Sequence, residues 1–424
     1  MPTVTTRLVS WIRLNRSAVA VALIVVVIRV AALWAQHDQL SLDPDSYRAL
    51  SENLARFRVL GENTEATAYR PSLYPILLSV AGTLPRVTPL GVALLHLALG
   101  LATIRIVWRL ATRHLGPNGQ HAAILAALFV ALDPILLYQS AQVMTETLAT
   151  YLAMLCLNHL TRLNRNPSLR RAIVAGAALG LAALCRPTFL AWFPLIVIVL
   201  ALQLGNWRPW LRVAVPLTIS MALVQLPWVI RNQQHLGHPV LATTHGGYTL
   251  LLGNNPAFYD NLRNAPAGSV WDAEASAQRW LPKLPPRTPA NEWEQDRILY
   301  DQARHNIRQQ PGMFAYSCLV RLGRFWGLVP HQIQSDESPL RRTARYATGL
   351  WYLVLSLLAI WGAFRLRRQW LKAPWVWGLT LALSFTAVHA LYWSNLRMRA
   401  PLVPVVALFA ATAATTIGGH RLNP

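Results

Sequence analysis

Charged residues are scarce in this chain, 13% of 424, where ordinary soluble domains carry roughly a quarter. Acid is scarcer still: 17 Asp and Glu stand against 39 Lys and Arg, a net charge of +22. Lysine is nearly missing, with Lys283 and Lys372 the only two among the basic residues. The basic excess forms no tail and no basic domain. Arginines are instead spread over many loops, which argues against nucleic acid as a partner. Cysteine is limited to Cys156, Cys185 and Cys318. They show no CxxC and no metal-ligand spacing, so neither a disulfide framework nor a zinc site is indicated. No internal repeat is visible.

What is plentiful is apolar sequence, 54% of the chain. Several runs reach or approach the ~20 residues that cross a bilayer. The expected fold class is an all-α polytopic membrane protein, a bundle of about ten transmembrane helices. They are placed near 17–34, 89–108, 120–138, 142–160, 171–185, 188–204, 211–230, 346–364, 374–393 and 400–418. The first run follows Arg7, Arg13 and Arg16 and has no small-residue cleavage site after it, so it reads as an uncleaved helix. The positive-inside rule then puts the N-terminus in the cytoplasm. With this layout, all 17 acidic residues fall on the outer side or near outer helix ends, and the cytoplasmic segments hold basic residues only. Acid–base chemistry is therefore expected on the outer face. Arg29, inside the first span, is expected to snorkel or face the bundle.

Three parts follow: an N-terminal membrane module (1–231) with a large first outer loop (36–87), an outer segment (232–345) and C-terminal membrane helices (346–424). In the first outer loop, Ser41 is expected to N-cap a helix over 44–58 that stops near Gly61. Residues 71–84 are too short to span and read as an interfacial or re-entrant helix. In the outer segment, 291–310 reads as a solvated helix stopped by Pro311-Gly312. Residues 313–329, with Arg321, Arg324 and Trp326, read as an interfacial one.

Asp43 and Asp45 are the first candidates for chemistry. Two carboxylates two residues apart suit a general base, a metal-ligand pair or charges at a helix N-terminus. Arg70, before Pro71, suits a lipid phosphate, because the guanidinium fork matches phosphate oxygens. Arg231, Arg397 and Arg399 lie at outer helix ends and raise the same choice, as does Arg186 beside Pro187. Glu146 sits in an apolar helix, where ionisable groups usually face the bundle interior or a wet cavity. Asp133-Pro134 also suits ordinary capping. His245 and the glycines of THGGY (244–248) suit a binding loop, with Asn254 in the GNNP stretch beyond it.

The order of these motifs resembles the bacterial GT-C glycosyltransferases that use a polyprenyl-phosphate sugar. That group contains the protein O-mannosyltransferases and the lipid A aminoarabinose transferases (glycosyltransferase family 39 and relatives). The motifs are Asp43-Pro44-Asp45-Ser46-Tyr47, then Tyr69-Arg70-Pro71-Ser72-Leu73-Tyr74-Pro75. LDPILLYQSAQVMTETLA (132–149), LAALCRPTFL (181–190), PWVIRNQQHLGHPV (227–240) with GNNP (253–256), and SNLRMRAPLVP (394–404) follow.

The resemblance implies a GT-C-like bundle and transfer of a sugar from the lipid donor to a protein, lipid or glycan acceptor, with inversion at the anomeric carbon. It implies an essential acid in the first outer loop and basic residues on the donor phosphate. Asp43 keeps the family's four-residue spacing to Tyr47. Pro44 stands where the family often has Glu, which leaves Asp45 as a substitute. A phosphate role carries over to Arg70, and also to Arg231, Arg397 and Arg399. Glu146 looks like the fourth-helix acid of some relatives, and Tyr47 and Tyr74 belong to the matching motifs. Metal dependence varies across the superfamily, so a divalent cofactor stays open, although no cluster here forms a recognisable site. The location implied is the bacterial cytoplasmic membrane, with both termini inside and the active site on the outer face. The competing readings are an O-antigen polymerase or ligase and a polytopic lipid or solute transporter.

Overall fold

The computed structural model describes residues 16–81, 87–116, 119–266, 270–332 and 337–417. Arg7, Arg13 and Arg421, on which the expected placement of the termini partly rests, lie outside them. The loop expected to be the first outer one follows α1 (Arg16–Ala35) and contains a 3-10 turn (His37–Ser41) and α2 (Tyr47–Phe57). A hairpin of β1 (Gly61–Glu62) and β2 (Glu65–Ala66), paired antiparallel, leads to α3 (Leu73–Ala81). Then come α4 (Pro89–His114), α5 (Gly119–Ala131), α6 (Pro134–Ser140), α7 (Glu146–Arg165), α8 (Leu169–Cys185), α9 (Trp192–Leu204) and α10 (Trp207–Leu236). The segment expected to lie outside carries α11 (Gly246–Leu252), α12 (Pro256–Asn264), α13 (Ala277–Trp280), α14 (Glu292–Gln309) and α15 (Pro311–Trp326). The chain returns to the bundle with α16 (Pro339–Arg365), α17 (Trp375–Leu391), a 3-10 turn (Leu396–Leu402) and α18 (Val403–Ile417).

Local chemistry starts several of these helices in the same way. Thr88, Asp133 and Ser338 each precede a proline, and each side chain accepts the amide of the third residue on, Gly91, Leu136 or Arg341. Proline suits the first helical position because its missing N–H has no partner there. Asp133 is therefore a cap, and it also accepts the Tyr352 hydroxyl at 2.9 Å.

Helices stand at all ten positions expected to span. Among the described residues, five are long and apolar enough to cross a membrane, or six if α5 and α6, bent by 53°, form one span. Ten is thus a count of helices and not of established spans. Arg29 faces the bundle: it is buried and donates to the Val130 carbonyl at 3.1 Å. Close helix packing comes from small residues. Gly176 and Gly180 on α8 meet α10 so tightly that a Cβ on Gly176 would overlap the Leu217 carbonyl. This is how helices associate where lipid removes the hydrophobic drive between them.

The outer segment has a core of its own around Leu250, Leu251, Leu252, Trp280, Leu299 and Ala303. Each such leucine contributes about 1.5–3 kcal/mol when fully buried. Two expectations change here. Ser41 ends a 3-10 turn and does not cap α2. The chain turns instead at Ser46, whose φ is +61°, and α2 begins at Tyr47. On α15, Arg321 is fully buried and does not lie at an interface. It donates to the Ala390 carbonyl at 2.7 Å and to Asn254 Oδ1 at 3.2 Å, tying α15 to α17 and to the turn after α11.

Candidate active site

The first outer loop, the outer segment and the bundle enclose one large cavity of about 750 Å³. Two carboxylates and three guanidinium groups meet in it. Asp45, in the turn before α2, lies 2.9 Å from Arg70, which follows the hairpin. Glu146, in the first turn of α7, is buried and lies 3.5 Å from Arg186 at the end of α8. Arg397, in the 3-10 turn before α18, reaches both acids, at 4.0 Å from Asp45 and 3.7 Å from Glu146. Charge therefore balances incompletely, three cations to two anions.

The contacts to Glu146 are long. Arg186 Nη1 and Arg397 Nε, the nitrogens that face it at 3.5 and 3.7 Å, are buried and make no hydrogen bond. Another nitrogen of each guanidinium points at a thioether: Arg186 Nη2 at Met398 Sδ (2.7 Å) and Arg397 Nη1 at Met144 Sδ (2.8 Å). Thioether sulfur is a weak acceptor, so these guanidinium groups are under-used by the protein. Such an arrangement favours a charged oxygen ligand.

The outer wall is aromatic. Tyr69 meets His245 edge-on and His245 stacks on Tyr248, with ring centroids 4.4 and 5.2 Å apart. Tyr300, Tyr392 and Trp393 continue the wall. Burial, together with Arg70 and Arg287, pushes the His245 imidazole down to about 3, so it is neutral at physiological pH. Tyr47 lines the cavity beneath Arg70, 5.9 Å from its guanidinium carbon, and packs edge-on against Tyr74. Tyr74 lies outside the cavity lining and pairs with His96 at 2.9 Å.

Asp45, Glu146, Arg70, Arg397, Tyr47 and His245 are thus brought to one place. Others are not. The Asp43 carboxylate accepts the amides of Arg48 (3.1 Å) and Ala49 (2.9 Å), early helix amides with no intrahelical partner. Arg231 donates to the Thr67 carbonyl at 2.9 Å and braces the hairpin. Arg399 donates to the Gly327 carbonyl at 2.7 Å and lies over Tyr352. Asn254 is buried in hydrogen bonds to the Leu250 and Leu391 carbonyls.

The resemblance assigns Arg186 no phosphate role, and its position beside Pro187 at a helix end is the available signal. Tyr69 and Tyr248 stand in quoted motifs without having been singled out, and His389 carries no motif signal. Among the described residues no three His, Cys, Asp or Glu gather to hold a metal ion. Both cavity carboxylates already face arginines, so the residues present do not fit a divalent ion.

The chain has the fold of the GT-C glycosyltransferases, and it is a multi-pass membrane protein. Its residues 70–230 match the family described as dolichyl-phosphate-mannose-protein mannosyltransferase. The oligosaccharyltransferase AglB of Archaeoglobus fulgidus, solved with an inhibitory peptide and a dolichol-phosphate, superposes with a TM-score of 0.56 at 17% identity. That match covers 96% of this chain and 51% of AglB. The Archaeoglobus fulgidus oligosaccharyltransferase tethered to an acceptor peptide gives 0.55 at 14% identity, covering 96% and 50%. ArnT of Cupriavidus metallidurans bound to undecaprenyl phosphate gives 0.45 at 16% identity, covering 94% and 78%. The chain thus spans about half the length of the oligosaccharyltransferase it superposes on. No curated protein sequence matches it.

Proposed function

We propose that this protein is an integral membrane glycosyltransferase. It moves a sugar from a polyprenyl-phosphate donor to a protein, lipid or glycan acceptor by a single inverting displacement. The observation that carries the reading is the meeting of Arg70, Arg186 and Arg397 over Asp45 and Glu146 in one cavity. The fold it shares with a dolichol-phosphate-binding oligosaccharyltransferase supports it. No observation favours a polymerase, ligase or transporter.

In this mechanism the donor phosphate sits against Arg70, Arg186 and Arg397. The acceptor hydroxyl or amine attacks the anomeric carbon, and the carbon–oxygen bond to the phosphate breaks. The electron pair leaves with the phosphate, where the guanidinium groups neutralise it. Asp45 takes the acceptor proton, a role worth about 10²–10⁴-fold. Glu146 holds Arg186 and Arg397 in place. Asp43, Arg231, Arg399 and Asn254 act structurally, and the aromatic wall packs on the sugar. The 232–345 segment covers the cavity and selects the acceptor. The reaction takes place on the outer face of a bacterial cytoplasmic membrane, with both chain termini inside.

The test is mass spectrometry of cellular glycans with wild type, Asp45→Asn, Arg70→Ala and Asp43→Asn at matched membrane abundance. Loss of one glycan with Asp45→Asn and Arg70→Ala supports the reading. Retention of every glycan by both would sink it.

A further inference from the structure

Two carboxylates one helical turn apart, Glu292 and Asp296, open α14. They lie outside the charge cluster and were read from sequence as part of a solvated helix. Both are buried. Glu292 Oε1 accepts the Ala68 amide at 2.6 Å, and Oε2 accepts the Thr67 hydroxyl. Thr67 and Ala68 lead directly into Tyr69 and Arg70. Asp296 Oδ1 accepts the Gly247 amide, also at 2.6 Å. Gly247 lies between His245 and Tyr248, both in the cavity wall.

The loop must lie flat on α14 for this to happen. A Cβ on Gly247 would overlap the Asp296 carbonyl, and one on Gly246 the Tyr300 hydroxyl. The paired glycines of THGGY are therefore a close-approach surface. Arg287 completes the arrangement. It lies 3.5 Å from Glu292 and 3.0 Å from Glu62, with its guanidinium carbon 4.0 Å from the centre of the Tyr69 ring.

We propose that Glu292 and Asp296 are positioning residues for the transfer, a two-point clasp by which one helix sets both the Arg70 side and the His245–Tyr248 side of the cavity. The proposal rests on the glycosyltransferase reading for its kinetic consequences, not for the clasp itself. Amides in a loop need an acceptor, and an ionised carboxylate accepts about twice as strongly as a neutral group. Glu292 governs where Arg70 meets the donor phosphate. Asp296 governs the wall against the sugar. Misplacing reacting groups by about 1 Å costs on the order of 10²-fold in rate.

The experiment uses full-length protein in nanodiscs, as wild type, Glu292→Ala, Asp296→Ala, Asp296→Asn and Asp45→Asn. Hydrogen exchange is read over 66–70 and 245–249, binding with undecaprenyl phosphate as the probe, and KM and kcat with an undecaprenyl-phosphate sugar. Glu292→Ala is expected to speed exchange at 66–70 and weaken undecaprenyl phosphate binding about tenfold. Asp296→Ala is expected to speed exchange at 245–249 and lower kcat, with phosphate binding within about twofold of wild type. Asp296→Asn, whose amide oxygen can accept the same N–H, is expected to restore most of both losses. The clasp is overturned if either segment stays as protected as in wild type. It is also overturned if both segments open while binding and turnover are unchanged. Failure of the glycosyltransferase reading has a different signature, no transfer by wild type, whereas full activity of Asp45→Asn would reassign the base alone. The exchange and binding arms then still decide the clasp.

Discussion

Arg397 Nε lies 3.7 Å from Glu146 Oε1, joining the turn before the last helix to the first turn of α7. The same guanidinium reaches Asp45, so one side chain links both acids of the cavity. Its removal should loosen both at once. Arg397→Ala is expected to lower kcat/KM about 10²-fold, the scale of losing one charge-stabilising donor. Arg397→Lys should recover only part, since an ammonium cannot span two carboxylates as a planar fork does. Steady-state kinetics with a polyprenyl-phosphate sugar check this.

The two aspartates of the first outer loop should separate cleanly. Asp45→Asn is expected to cost about 10²–10⁴-fold in turnover. Asp43→Ala should instead cost about 1 kcal/mol of stability through loss of its cap, with turnover per folded molecule retained. Thermal unfolding beside single-turnover rates distinguishes the two, and the reverse pattern would reassign the base.

Glu146→Gln leaves Arg186 and Arg397 facing each other in a buried place. Breaking a buried pair by removing one partner costs about 3 kcal/mol, so a lowered Tm is expected. Added inorganic phosphate should restore part of it if the cavity takes an anion. No phosphate effect would count against the anion site.

Two buried groups in the outer segment respond to pH in opposite senses. Burial, reinforced by Glu292 and opposed by the Gly247 amide, raises Asp296 to about 6. Its folded pKa lies above its unfolded value. Its contribution to stability is therefore fully present below about pH 4 and lost as pH rises through about 6. Burial between Tyr69 and Tyr248, with Arg70 and Arg287 nearby, pushes His245 down to about 3. Its contribution is present above about pH 6.5 and lost as pH falls towards 3. Difference curves of unfolding against pH for Asp296→Asn and His245→Gln should slope in opposite directions. Matching slopes would refute the assignment.

Gly247→Ala tests the flat seat of the loop on α14, where a Cβ has no room. It is expected to destabilise the outer segment and lower kcat. Proteolysis of that segment is the readout, and an unchanged digestion pattern would argue against tight seating.

The sequence by itself determined the membrane class, the ten helix positions and most of the residues that meet in the charged cavity. The physical reason is that long apolar runs have one favourable environment, and the few charges between them must cluster at an end or pair. Asp45, Arg70, Glu146 and Arg397 were legible because each stood out against apolar surroundings. Only the tertiary structure separated the surroundings of Asp43 and Asp45. Two carboxylates two residues apart look alike until the chain turns at Ser46 and one caps α2 while the other meets Arg70. It likewise divided the arginines. Arg186 and Arg397 point into the cavity, whereas Arg231 and Arg399 serve backbone carbonyls. Glu292 and Asp296 stayed hidden because a polar helix read alone presents them to solvent. Their partners at Thr67, Ala68 and Gly247 lie on other loops, and that proximity comes only from folding.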